Sequence, residues 1–305
     1  MYSPITIDAL RVLDAIERTQ SFAAAAEELH RVPSAVSYTI NKLEEELGVS
    51  IFDRSRRKAV LTAVGKLMLE QGRQRLAATE ELTAMSRQVA SGWEVELKIG
   101  IDSVLDPGPI YQLIREFQRE QPRIEIRLSE EVLGGSWDAL TTERCDLVIG
   151  ATGEPPSSGY RHHVLGHVMF EFAVAFEHPL AHGTESISAQ QIKRYSTVIV
   201  ADSSRYLPVR SSGLLDGRSR VVVSSIERKI EAQKLGLGIG FLPLHRIQDE
   251  LISGSLAVVN IDEPRAPQDI SVAWRGRRKG KALRWFIDRL KMMRFDTVKG
   301  LVSLD

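Results

Sequence analysis

The stretch from Ser21 to Gly48 leaves the backbone little choice. Ser21 is a good N-cap, because its hydroxyl can accept from a first-turn N–H, and the Ala23-Ala24-Ala25-Ala26 run behind it is strongly helix-forming. A helix over Phe22–Leu29 leaves only His30, Arg31 and Val32 before Pro33. Proline suits the first position of a helix, here one that runs to about Leu47 and stops at Gly48. Upstream, Ile7, Leu10, Val12, Leu13 and Ile16 recur at near-helical spacing and predict a first amphipathic helix over residues 6–18. In the third helix Val36, Ile40, Leu43 and Leu47 form the buried stripe. Ser34, Ser37, Tyr38 and Asn41 are left on a polar face suited to a DNA major groove.

After Gly48, the β-branched residues of Val49–Leu61 surround a basic turn, as in a two-stranded wing whose tip meets phosphates. The chain as a whole is neutral, with 40 basic and 40 acidic residues, which at first argues against a nucleic-acid partner. Distribution answers that objection: between Asp53 and Arg75 seven residues are basic and two acidic, and phosphate contacts need only a local basic surface. From Thr62 to about Ser91 the pattern is helical again, without proline. Ala78, Leu82, Met85 and Val89 fall at spacings of four and three, a seam for pairing two such helices.

Beyond Gly92 strands and helices alternate, the grain of an α/β domain. Strands are expected at Val95–Ile101, Ile124–Leu128 and Leu147–Ile149, with helices near Ile110–Glu120 and Trp137–Glu143. A second set follows Glu154-Pro155-Pro156: strands at Phe172–Phe176, Thr197–Val200, Arg220–Val223 and Ile239–Leu242, and a helix near Glu227–Leu235. A late strand, Ile270–Trp274, and a helix near Ala282–Met293 are surplus to the second half and are expected to return to the first, so that two crossings make a hinge. No apolar run approaches the roughly 18 residues of a membrane span, and the N-terminus does not read as a signal peptide, so the expected location is the cytoplasm. The single cysteine, Cys145, sits in an apolar segment and reads as core.

Four spaced pieces, Phe22-x-x-Ala25-Ala26-x-x-Leu29, Ala35-Val36-Ser37, Leu43-Glu44-x-x-Leu47-Gly48 and Phe52-x-Arg54-x-x-Arg57-x-x-x-Leu61-Thr62-x-x-Gly65, together resemble the LysR-type transcriptional regulators. The resemblance implies an α+β multidomain chain. A winged helix-turn-helix occupies residues 1–61, a linker helix 62–92, and a two-lobed domain like periplasmic binding proteins 93–305. Lobe I takes 93–166 and 269–298, and lobe II takes 167–268. It further implies double-stranded promoter DNA and a small-molecule effector as partners, no other cofactor, no catalysis, and a homodimer or a tetramer of two dimers. Candidate DNA contacts are Arg31, Pro33, Ser34, Ser37, Tyr38, Thr39, Asn41 and Lys42 at the third helix, and Arg54 and Arg57 in the wing. Members usually carry Ser-Gln where this chain has Val32-Pro33, and Arg-Gln where it has Tyr38-Thr39. An N-cap oxygen and a bidentate guanine reader are thereby lost, and Tyr38 is expected to touch a phosphate or a thymine methyl instead. With Gly135-Ser136-Trp137-Asp138-Ala139-Leu140, the Arg31–Thr39 segment resembles a subset of regulators that respond to purines, allantoin, or aromatic and quinol-like compounds.

Ligands of two-lobed α/β domains bind at the carboxyl ends of strands. That rule selects Asp102, Ser103, Glu130, Glu131 and Thr152 from the first lobe, and Ser203, Ser204, Arg205 and Ser225 from the second. With Asp102, Glu130 and Glu131 in the cleft a polyanion is repelled, while Arg205 can clamp one carboxylate or stack on a ring. The expected effector is therefore planar and weakly charged, and its binding closes or twists the lobes. The alternative is a two-lobed binding protein or an enzyme without a DNA role, for which the signals are poor. Gly236-x-Gly238-x-Gly240 follows a helix and opens a strand, the reverse of a phosphate-binding loop, and His162, His163, His167, His178 and His182 lack ligand spacing. The basic residues from Arg275 to Arg284 read as a solvated face.

Overall fold

The computed structural model describes residues 3–53, 59–183, 185–210, 217–277 and 280–303; Arg54 and Arg57, like the rest of the wing tip, lie outside them. The chain divides into two compact units, Met1–Ser91 and Gly92–Asp305.

In the first unit α1 (Ile7–Thr19), α2 (Phe22–Glu28) and α3 (Pro33–Leu47) follow the capping residues closely. The Ser21 hydroxyl accepts from the Ala24 N–H at 3.3 Å, and Gly48 closes α3 with a left-handed φ of 67°. Val32, in the N-cap position of α3, supplies no side-chain cap, so Pro33 starts that helix by its fixed φ alone. Strands β1 (Phe52–Asp53) and β2 (Val60–Leu61) pair antiparallel as the base of the wing. Val12, Leu13, Ile16, Val36, Ile40 and Leu43 form the core with Phe52, whose ring meets Phe22 edge-on at 5.2 Å. Helix α4 (Ala63–Ala90) is capped by the Thr62 hydroxyl, and its outer half exposes Leu82 (65%) and Val89 (58%).

The second unit holds two lobes. In the first, β3 (Glu96–Asp102), α5 (Gly108–Glu120), β4 (Glu125–Glu131), α6 (Gly135–Thr141) and β5 (Leu147–Thr152) build a parallel sheet. Strand β6 (Tyr160–Val168) completes it through a late partner, described below. The second lobe contains β7 (Phe170–Ala175), α7 (Ala189–Ile192), β8 (Thr197–Val200), β9 (Arg220–Val223), α8 (Ile226–Lys234), β10 (Gly240–Pro243), α9 (Gln248–Ile252) and β11 (Leu256–Val258). Its strands form the sheet β10-β7-β11 and the parallel pair β8-β9. The chain then returns: β12 (Gln268–Arg275) inserts antiparallel between β5 and β6, giving the order β4-β3-β5-β12-β6. Helix α10 (Lys281–Lys291) buries Leu283, Phe286 and Leu290 against this lobe, followed by the hairpin of β13 (Met293–Asp296) and β14 (Gly300–Ser303). The return of the surplus strand and helix to the first lobe matches the sequence expectation.

The short elements α7, α9 and β11 are not expected from sequence, and neither are β6 and the β13–β14 hairpin. Strand β6 is a sheet edge whose residues are mostly exposed, and it is bulged against β12, so it carries no apolar alternation. The β13–β14 hairpin is too short to show a period. Strand β4 also extends to Glu131, three residues past the expected end, which changes where its acidic residues lie.

Candidate effector cavity and DNA-facing helix

In the first unit α3 turns Ser34, Tyr38, Asn41 and Lys42 to solvent, and Tyr38 is 66% exposed although it is a large aromatic residue. Ser37 and Thr39 are half-buried, and the Thr39 hydroxyl donates back to the Ala35 carbonyl at 3.0 Å. That bond turns Thr39 toward its own helix. Arg31 makes a two-pronged pair with Asp8 of α1, at 2.9 and 2.6 Å, which ties the turn before α3 to the first helix. Its guanidinium is therefore already engaged in structure. Pro33 sits exposed at the helix start.

In the second unit the expected cleft residues divide into those that meet the space between the lobes and those that build its walls. Asp102, Ser103 and Thr152 line a small cavity of about 50 Å³ with Val132, Leu133, Ile199 and Phe241. Asp102 accepts from the Val104 N–H at 3.0 Å and the Ser136 hydroxyl at 3.2 Å, yet burial pushes its carboxyl up to about 7. The Ser103 hydroxyl is buried and has no hydrogen-bond partner among the described residues.

Glu131 does not face this cavity as a free charge. It is 1% exposed and receives Arg144 at 2.6 Å, the Ser203 hydroxyl at 2.8 Å and the Ser129 hydroxyl at 3.2 Å. Glu130, its neighbour on the other face of the strand, opens onto a larger groove that shares Asp102 and Ser103 with the cavity and is also lined by Tyr111, Leu128, Glu227 and Arg246. Of the acidic residues expected at the cleft, Asp102 and Glu130 thus line one groove together, whereas Glu131, on the opposite face of its strand, is neutralised by Arg144. Cys145 lies 3.2 Å from the Ser129 hydroxyl, and burial raises its thiol, as befits a core residue.

The second-lobe candidates act mainly as a latch. The Ser203 hydroxyl accepts from the Val132 N–H at 2.9 Å as well as donating to Glu131. Asp202 accepts from the Gly134 N–H at 3.1 Å, and Asp138 accepts from the Tyr206 and Leu207 N–H groups at 2.8 and 2.7 Å. Burial raises the Asp138 carboxyl, but those backbone donors and Arg144 outweigh it and hold it below its usual value. Ser204 donates its N–H to Asp202 at 2.7 Å, Ser225 caps α8, and the Arg205 side chain is exposed. At Gly135 an added Cβ would sit 1.7 Å from the Ser203 hydroxyl oxygen, so the Gly134-Gly135 pair is the dock on which the second lobe rests. The Gly135–Leu140 motif read from sequence is this dock: Ser136 holds Asp102, Trp137 donates to the Thr152 carbonyl at 2.9 Å, and Asp138 caps the incoming loop. On the opposite side Arg246 bridges the lobes, donating to the Ser103 and Leu105 carbonyls at 3.0 and 2.7 Å and to Glu227 at 2.7 Å.

Sequence reading missed the cavity's cations. Lys229 of α8 lines it, nine-tenths buried, and burial followed by the charge of Arg265 lowers its ammonium to about 7. Arg265, between β11 and β12, lies 3.6 Å over the Phe170 ring and donates to Gln268 at 2.8 Å; burial lowers it to about 10. A signal was present for Lys229, which falls on the apolar stripe of its helix between Ile226 and Ile230. Arg265 stands in a loop and carried none.

Comparison with known proteins follows the same division. The bacterial regulatory helix-turn-helix protein, lysR family, matches residues 7–66, and the LysR substrate binding domain matches residues 90–294. The HTH-type transcriptional regulator YeeY of Escherichia coli is 38% identical over 285 residues, covering 93% of this chain and 92% of its own. The regulator PunR of the same organism is 36% identical over 282 residues, covering 92% and 91%. A mutant of Corynebacterium glutamicum OxyR shares the fold, with a TM-score of 0.60 at 21% identity over 94% of this chain and 91% of its own. A winged helix-turn-helix, a long helix and a two-lobed effector domain, matched over nearly their whole length by transcriptional regulators, place the function in promoter binding under effector control and not in catalysis. The chain belongs to the LysR family of bacterial transcriptional regulators.

Proposed function

We propose that this regulator reads its operator with the exposed face of α3 and is controlled by a small molecule held in the cavity between the two lobes. The observation that carries the second part is a small space walled by both lobes, lined by Asp102, Thr152, Lys229 and by Ser103, whose hydroxyl has no hydrogen-bond partner among the described residues. A ligand there touches the ends of β3 and β5 on one side and β8 and α8 on the other, so its affinity depends on how far the lobes stand apart. In this reading Ser34, Ser37, Tyr38 and Asn41 face bases, Pro33 sets the helix start, and Lys42 with the wing's Arg54 and Arg57 holds phosphates. Arg31 and Thr39 act by supporting α3. Residues 1–61 bind DNA, 62–92 pair protomers as dimers or tetramers, and 93–305 sense the effector. A protein with this task works beside the chromosome, in the cytoplasm.

Footprinting on the protein's own upstream region tests the DNA half. Protection is expected at moderate salt, and Tyr38→Ala is expected to reorder affinities among operator variants, whereas Arg54→Ala weakens all of them alike and flattens the salt dependence. Uniform weakening by Tyr38→Ala would contradict the assignment.

A further inference from the structure

We infer that the cavity between the lobes accepts a small organic anion, a singly charged carboxylate on one flat ring, seated against the Lys229 ammonium; the inference rests on reading that cavity as the effector site. Lys229 is 91% buried, and among the described residues no carboxylate pairs with it. A buried cation without a counter-charge is costly, and a ligand that supplies one recovers that cost. Ile226, the first residue of the nine-residue helix α8, also lines the cavity, so the positive end of the helix dipole adds to the same side. Arg265 gives a second positive charge at the wall, and the Ser103 hydroxyl has no hydrogen-bond partner among the described residues. Asp102, the one acid among the described residues that line the cavity, is held by Ser136 and the Val104 N–H, and burial shifts its carboxyl toward the protonated form.

The other ligand classes fit less well. A cation meets Lys229 and Arg265, a neutral molecule leaves Lys229 uncompensated, and a di- or tricarboxylate brings more charge than the cations lining this small space can match. The remaining wall is apolar, with Val132, Leu133, Ile199 and Phe241 suited to the faces of a ring. Size then couples occupancy to conformation. The cavity of about 50 Å³ is well short of the roughly 150 Å³ that accommodates a benzene ring. A ring therefore enters only as the lobes part.

The test is calorimetric titration of the full chain with matched probes: benzoate against benzamide, and nicotinate against nicotinamide. At least one carboxylate is expected to bind, with its amide at least tenfold weaker. Lys229→Met should weaken the carboxylate by about ten- to a hundredfold, the span expected for loss of one charged hydrogen bond. Lys229→Arg should restore part of that loss, which a merely misfolded variant would not do. Ile199→Trp, which fills the cavity, should abolish binding. If amides bind as well as carboxylates and both are lost in Ile199→Trp, the anion assignment falls while the cavity keeps its role as effector site. If carboxylate binding survives both Lys229→Met and Ile199→Trp, both readings fall. If none of the four probes binds at millimolar concentration, the single-ring anion is overturned.

Discussion

Replacing Gly135 by alanine is the sharpest test of the latch. The added methyl would stand 1.7 Å from the Ser203 hydroxyl oxygen and 2.9 and 3.0 Å from its Cβ and carbonyl carbon. Only the first of these is relieved by rotating a side chain; the other two require the Asp202–Ser204 segment to move off the first lobe. That movement breaks the Ser203 bonds to Glu131 and to the Val132 N–H, and the Asp202 bond to the Gly134 N–H. Opening readmits water to these groups, so the loss is a net one, of about 2–4 kcal/mol for three bonds of which two involve a carboxylate. Such a change shifts the balance of closed to open lobes by about thirty- to a thousandfold. Hydrogen exchange is the direct assay, because the Val132 and Gly134 amides are the donors in the latch, and small-angle scattering reports the accompanying expansion. Both amides should lose protection in Gly135→Ala, and Ser203→Ala should expose Val132 more than Gly134. Unchanged protection of both amides in Gly135→Ala would refute the latch.

Other consequences follow from the same geometry. Arg144→Met leaves the nearly inaccessible Glu131 without its cation, and removing one partner of a buried pair typically costs about 3–5 kcal/mol, a fall of about 6–20 °C in the melting temperature of a domain this size. A fall of under 2 °C by calorimetry would mean that Glu131 is otherwise satisfied. Asp102, whose carboxyl is raised from 3.8 to about 7, binds its proton more tightly folded than unfolded, so its contribution to stability is full below pH 4 and is lost as pH rises to about 7. Lys229, lowered from 10.5 to about 7, contributes in the opposite sense, fully above pH 10.5 and progressively less as pH falls to about 7. Because His245, lowered to about 4, opposes Asp102 between pH 4 and 6.5, the informative quantity is the difference from wild type. Denaturation across pH should show that Asp102→Asn removes the lower slope and Lys229→Met the upper one. Leu82→Asp puts charge on the exposed seam of α4 and should shift sedimentation toward monomer; an unchanged oligomer would place the pairing surface elsewhere.

Local rules carried the reading of this chain a long way. Capping and hydrophobic period depend on neighbours a few residues apart, so Ser21, Pro33, Gly48 and Thr62 marked helix boundaries without knowledge of the fold. The polar face of α3 and the return of the late strand to the first lobe were likewise legible, the first from periodicity and the second from a count of elements. Where regularity failed, so did the reading: β6 is an exposed, bulged edge that needs no alternating pattern.

Tertiary structure alone decided what the space between the lobes contains. The strand-end rule found Asp102, Ser103 and Thr152, but it had no means of knowing that Arg144 neutralises Glu131 or that Ser203 spends its hydroxyl on the opposite lobe. Lys229 and Arg265 share that space although 36 residues separate them in sequence, and only the crossing of the chain between lobes brings them to one wall. Helix caps and periods are set by interactions along the chain, whereas the charge of a cavity is set by which distant side chains the packing brings to its wall.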